Sequence, residues 1–212
     1  MANDKAYFEY YAKYHIDSAL KLRRGFFIKS ERPDFVSVRG EVGLEVTRAV
    51  IEEWARQEAA VGKKFGKDIS DDMVRQNSKT GTNDALLTRL DLTRDLSNGD
   101  TGGDPLDAEI HIGRAIERIE GKTKLLPDYQ PCDEYWLYLY SETLHLNADD
   151  ISRIAQHAEQ MPQKQKFRMI FIKVGGSLYV LESGKKPKEI ALNGRVLRRI
   201  HRRAHWKSML IR

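Results

Sequence analysis

Two carboxylates near the start of the chain have the spacing to act as a pair. They close the run Asp34-Phe-Val-Ser-Val-Arg-Gly-Glu-Val-Gly-Leu-Glu45, which continues into Val46 and Thr47. Folding this run on Arg39-Gly40 as a two-residue turn sets Val38 opposite Glu41, Val36 opposite Gly43 and Asp34 opposite Glu45. A four-residue loop over Val38 to Glu41 yields the same pairing. Directly opposed residues of an antiparallel pair hold their Cβ atoms about 5 Å apart. Phe35, Val42, Leu44 and Val46 fall on the other face, which reads as the core side. Like charges opposed in this way destabilise a sheet. A shared proton or a shared cation relieves them. Mg²⁺ suits such a pair, because it takes carboxylate and carbonyl oxygens and keeps waters that substrate can replace. The plain alternative is a different register, with both acids facing solvent.

The elements that must position this pair can be read from periodicity. Phe8, Ala12, Ile16 and Ala19/Leu20 recur at helical spacing and predict a first helix over about 4–22. Two short strands follow, 34–38 and 42–47, and then a helix over about 48–61 that carries Trp54. From Gly62 to Leu106 the chain holds six glycines and many Asp, Asn, Ser and Thr. This stretch reads as a loop-rich insertion with one short helix around 84–96. Its run from Asp95 to Asp104 lacks the EF-hand spacing and reads as a turn-rich loop. A strong helix is expected over about 107–126, with Ile112, Ala115/Ile116 and Ile119 on one face and Pro127 as its stop. Tyr135 to Tyr140 is a buried strand. Asn147 caps a helix over 148–160. Residues 168–174 and 177–181 form a hairpin around Gly175-Gly176. A strand near 189–192 and a basic helix complete an α/β or α+β domain around one mixed sheet.

Pro33-Asp34 followed by Glu45-Val46-Thr47 resembles the PD-(D/E)XK nuclease superfamily, the restriction-endonuclease-like fold. That family's core runs helix, three strands, helix, strand. The likeness in element order extends over about residues 4 to 141. The resemblance implies that Asp34 and Glu45 hold Mg²⁺ (or Mn²⁺ in its place), with the Val46 carbonyl in the inner shell. It also implies a 5′-phosphate product. A first-helix glutamate sometimes adds a ligand in this superfamily, which makes Glu9 a candidate beside its plainer reading as a surface acid. Thr47 stands where the family usually has lysine. Either the site is inactive or another cation has moved in. Ile112, Ile116, Ile119 and Lys122 are spaced by four, three and three, so Lys122 lies near the apolar face of its helix and Lys124 well off it. Lys122 is the candidate migrated lysine. The competing role is a helix-end lysine that complements the dipole, worth only tenths of a kcal/mol.

With 212 residues, 41% of them apolar and 32% charged, the chain can build a core under a heavily charged surface. No apolar run approaches the ~20 residues of a membrane span. No signal-peptide core follows the start, and the lone Cys132 cannot form an internal disulfide. A cytoplasmic protein is expected. The six histidines show no metal-ligand spacing with cysteine, and no phosphate-binding loop, dinucleotide fingerprint or serine-nucleophile elbow occurs. The net charge of +5 conceals an asymmetry. Lys185 to Arg212 holds ten Lys/Arg and one acid, so the first 184 residues are net −4. Residues 1–184 therefore read as a nuclease-like domain with its insertion, and 185–212 as a basic extension. Arg198, Arg199, Arg202, Arg203 and Lys207 are expected to grip a phosphate backbone without reading bases. The leading expectation is a Mg²⁺-dependent phosphodiesterase acting on nucleic acid, DNA ahead of RNA. Its rivals are a catalytically inactive nucleic-acid-binding module of the same fold and a structural protein whose basic tail meets an acidic partner.

Overall fold

Seven strands lie in one sheet in their sequence order, a consequence of short connections between neighbours on both flanks. A computed structural model describes residues 4–49, 105–141, 146–162 and 166–211. The strands are β1 (Phe27–Lys29), β2 (Phe35–Ser37), β3 (Val42–Ala49), β4 (Glu134–Ser141), β5 (Met169–Val174), β6 (Ser177–Glu182) and β7 (Lys188–Ala191). The helices are α1 (Asp4–Ala19), α2 (Pro105–Thr123), α3 (Ala148–Glu159) and α4 (Gly194–Leu210). Strands β1 to β3 pair antiparallel, β3–β4 and β4–β5 pair parallel, and β5 to β7 pair antiparallel. The protein is thus α/β, with a mixed sheet flanked by helices. Among the described residues no helix is long and apolar enough to cross a membrane.

The two parallel steps require crossovers, and these carry α2 and α3 over the same face of the sheet. There Ile112, Ala115 and Ile119 of α2 and Ile151 and Ile154 of α3 close on Leu137, Leu139, Ile170 and Ile172. On the opposite face Ala12 and Ile16 of α1 cover Phe35, Val42, Leu44, Trp136, Tyr138 and Phe171. Covering both faces explains why Trp136 to Leu139 form an unbroken buried run. Helix α1 is itself overlaid by α4, through Tyr11, Tyr14, Ile200 and Ala204. Its apolar residues therefore spread around the helix instead of forming one stripe.

Most local signals have their expected outcome. Asn147 caps α3 by accepting from the Asp150 N–H, and the Asp150 carboxylate answers the Asn147 N–H, a full capping box. Gly40 turns the β2–β3 connection with φ +76°. Three differences stand out. Strand β1 has no counterpart in the sequence reading, because three residues carry too little alternation to register. Strand β3 runs on through Arg48 and Ala49, where the sequence suggests the start of a helix. The 185–212 stretch, set apart in the sequence as an extension, supplies β7 and α4 to the same sheet and helical layer. The remainder of the 48–61 helix, the 84–96 helix, the 95–104 loop and all but the last residues of the 62–106 insertion lie outside the described residues.

Candidate active site

Asp34 enters the sheet one residue before β2, and the local chain leaves it little freedom. The Ser30 N–H donates to the Asp34 carbonyl at 2.9 Å, which ties it to β1. Pro33, preceded by a cis peptide bond, packs closely on Gly43. A Cβ at Gly43 would come within 2.8 Å of the Pro33 ring and of Tyr135. Only glycine permits that approach.

Phe35 pairs with Leu44 and Val36 with Gly43. Continuing that register sets Asp34 opposite Glu45, the arrangement the hairpin argument requires. Beyond Leu44, β3 has no strand partner on its β2 side among the described residues. The Val46 N–H instead donates to Asp34 Oδ2 at 2.8 Å. A strand residue's N–H and C=O point to the same side, so the Val46 carbonyl opens towards Asp34 as well.

Both acids are buried: each side chain is 8% exposed. Burial and then the Glu45 charge push the Asp34 carboxyl up from 3.8 to about 7, while the Val46 hydrogen bond and Lys29 pull the other way. The repulsion expected of the pair thus adds to burial in raising Asp34.

Cations reach the pair from two directions. Lys122, in the last turn of α2, donates to Glu45 Oε1 at 2.6 Å. Lys124 is exposed. Lys29, on the unexpected strand β1, lies 2.8 Å from Glu9 Oε2 and 3.7 Å from Asp34 Oδ1. Glu9 is not a surface acid. It is buried on α1, and its Oε1 has no hydrogen bond, only the Lys5 ammonium at 3.6 Å. An ammonium thus stands between Glu9 and Asp34.

Tyr129 completes the surroundings. It follows the 3₁₀ turn Leu126–Asp128. The Gln130 N–H donates to the Arg32 carbonyl at 2.9 Å and clips this segment to the Pro33 loop. Burial, then the Glu45 and Asp34 charges, raise the Tyr129 phenol. Lys29 and Tyr129 carry no sequence signal that singles them out. Lys29 is one lysine among many and lies on a strand too short to recognise, and Tyr129 gains its place through tertiary packing and the clip to Arg32.

The donor chemistry fits Mg²⁺. Two carboxylates and a carbonyl match an ion that takes one or two carboxylates from protein and leaves its other positions to water and phosphate. Among the described residues no three His, Cys, Asp or Glu side chains are grouped to hold a metal ion by themselves.

The basic helix sits on the α1 layer. Asn193 caps α4 by accepting from the Val196 N–H at 3.0 Å. Ile200, Ala204 and Ser208 are buried, while Arg198, Arg199, Arg202 and Arg203 are exposed and Lys207 is half-buried. The Arg203 guanidinium lies 4.2 Å over the Tyr14 ring, so part of its charge is engaged within the fold. Comparison with protein-family models, with curated proteins and with solved structures finds no match for this chain.

Proposed function

We propose that the chain is a Mg²⁺-dependent nuclease of the restriction-endonuclease-like kind, hydrolysing phosphodiester bonds of nucleic acid, DNA in preference to RNA. One observation carries this reading: two buried carboxylates opposed across a hairpin, with the Lys122 ammonium 2.6 Å from one of them. Asp34, Glu45 and the Val46 carbonyl would hold the ion. When bound, it would supply charge neutralisation at the scissile phosphate and a more acidic water. Lys122 takes the role left open by Thr47. Its side chain, 27% exposed, leaves the ammonium in a position to orient a water or stabilise developing negative charge on the phosphate. The pair keeps Lys122 in place through Glu45. The arginines of α4 supply sequence-independent backbone contacts.

The second reading is a nucleic-acid-binding module without catalysis. It is favoured by the neutralisation that the acids already enjoy, Glu45 by Lys122 and Asp34 in part by Lys29. The two readings part in a single experiment. Plasmid DNA and an RNA of similar length are incubated with the protein in Mg²⁺, in Mn²⁺ and in EDTA, alongside Glu45→Gln. Cleavage by the native chain that requires the metal and vanishes in the variant supports the nuclease. Retention of nucleic-acid binding without any cleavage supports the module.

A further inference from the structure

A second cationic feature lies away from the carboxylate pair. Arg23 and Arg24 follow α1, and Arg39 heads the β2–β3 turn. Together with Phe26, Ser37 and Val38 they line an open cleft of about 450 Å³. That volume is within the range of small-ligand sites, roughly 300–1,000 Å³. Asp34 and Val38 stand at opposite ends of β2, four residues apart, or about 13 Å along an extended chain.

The cleft's frame is fixed by backbone bonds: Phe26 N–H to the Arg23 carbonyl at 3.0 Å and Val38 N–H to the Phe26 carbonyl at 2.9 Å. Among the described residues neither Arg23 nor Arg24 has a carboxylate partner. Arg39 has only Glu41, at 3.9 Å and at the solvent-exposed rim. Ser37 is buried and its Oγ accepts from the Val42 N–H at 3.0 Å. Its own hydroxyl proton is therefore left to donate. Three arginines and one hydroxyl lining a cleft with a single carboxylate, Glu41, supply the recognition chemistry of a phosphate ester.

We infer that this cleft is a binding site for a nucleotide phosphate. Three arginines exceed what one phosphate needs, which favours a phosphate carried on a strand. Arg203 of α4 lies over Tyr14 of α1, and the Arg24 charge at the end of α1 acts on the same phenol, so further cationic side chains stand in the neighbourhood of the cleft. The cleft binds without the carboxylate pair and without a metal. Its test is therefore made in EDTA, and its outcome does not depend on whether the chain cleaves anything.

The experiment compares the native chain with R23Q/R24Q/R39Q, all three residues being at the surface. A control, K185Q/K186Q/K188Q, removes the same charge from another surface. Each is titrated with a short fluorescent single-stranded DNA across a salt series, and separately with AMP and with inorganic phosphate. The expected result is a loss of about tenfold in DNA affinity for the arginine variant. Its log–log salt slope should be shallower by about 2, the value for three phosphates no longer neutralised on a single strand. The lysine control should lose much less. Unchanged DNA binding, with AMP or phosphate binding lost in the arginine variant, assigns the site to free nucleotides. An arginine variant equal to the native chain in every titration overturns the site, as does an equal loss in both variants.

Discussion

At the site, the fold alters the chemistry of Asp34 strongly. Its carboxyl is raised from 3.8 to about 7, so between about pH 4 and 7 the folded chain holds a proton that the unfolded chain has released. Stability through this group therefore falls as pH rises across that window. His15 has the opposite sign. It is fully buried, with Nδ1 2.8 Å from the Tyr138 hydroxyl, and burial lowers it from 6.5 to about 4. The unfolded chain binds that proton first, so His15 costs stability as pH falls from about 6.5 to 4. In Asp34→Asn only the second slope remains. Urea unfolding in EDTA should show this variant gaining stability from pH 4 to 6.5 more steeply than the native chain. A parallel pH dependence in the two proteins would count against the Asp34 shift. Lys122 points to the carboxylate pair as its spacing suggests, and so departs from the competing role at the same scale. A helix-end lysine would be worth tenths of a kcal/mol, but here removal leaves the buried Glu45 without its partner. Lys122→Met should cost about 1–3 kcal/mol as well as cleavage, whereas Lys124→Met should alter neither; thermal melts and a plasmid assay read both.

Among the elements, the β2–β3 hairpin and its neighbours set the site. Gly43 is the point of least tolerance, since a Cβ there meets Pro33 and Tyr135 at 2.8 Å. Gly43→Ala should destabilise by about 1–3 kcal/mol through overpacking. It should also lift Pro33 off β3 and shift Asp34, so Mg²⁺-dependent cleavage should fall more than the melting temperature alone explains. The cap of α3 offers a contrasting case. Asn147→Ala removes a capping box remote from Asp34 and should cost about 1 kcal/mol with cleavage per folded molecule unchanged. Equal effects of the two substitutions on cleavage would mean that the hairpin geometry has no special role.

Across the molecule, the arginine row and Lys122 come to the sheet from opposite faces. Lys122 approaches from the α2 face, whereas α4 and its arginines lie over α1. A polyanion would meet the arginines on one side and the acids at the margin where β3 leaves β2. Arg198→Gln, Arg199→Gln and Arg202→Gln together should weaken duplex binding and reduce its salt slope by about 0.9 for each phosphate no longer neutralised. The fold should be unaffected, because these side chains are exposed. Arg203→Gln should additionally lower the melting temperature, since its guanidinium lies on Tyr14. Deleting 194–212 is expected to unfold the chain, because Ile200 and Ala204 are buried against α1. An unchanged salt slope in the triple variant would return these arginines to ordinary solvated surface.

The features legible in the amino-acid order were local ones. The Asn147 cap, the turns at Gly40 and Gly175, the strand at 135–140 and the register that opposes Asp34 to Glu45 all follow from neighbours within about a dozen residues. Period, capping and turn chemistry act at that range. The spacing of Lys122 from Ile112, Ile116 and Ile119 likewise placed it on the buried side of its helix. Which distant groups share a space was settled by folding. Lys29 meets Glu9 and Asp34 only because β1 pairs with β2 beneath α1. Tyr129 nears Glu45 through core packing and the clip of Gln130 to Arg32. The basic stretch became part of the fold because Ile200 and Ala204 found Tyr11 and Tyr14 nearly two hundred residues away. Such contacts leave no periodic trace, since the sequence records how a segment behaves alone, whereas burial and charge pairing depend on what the folded chain brings against it.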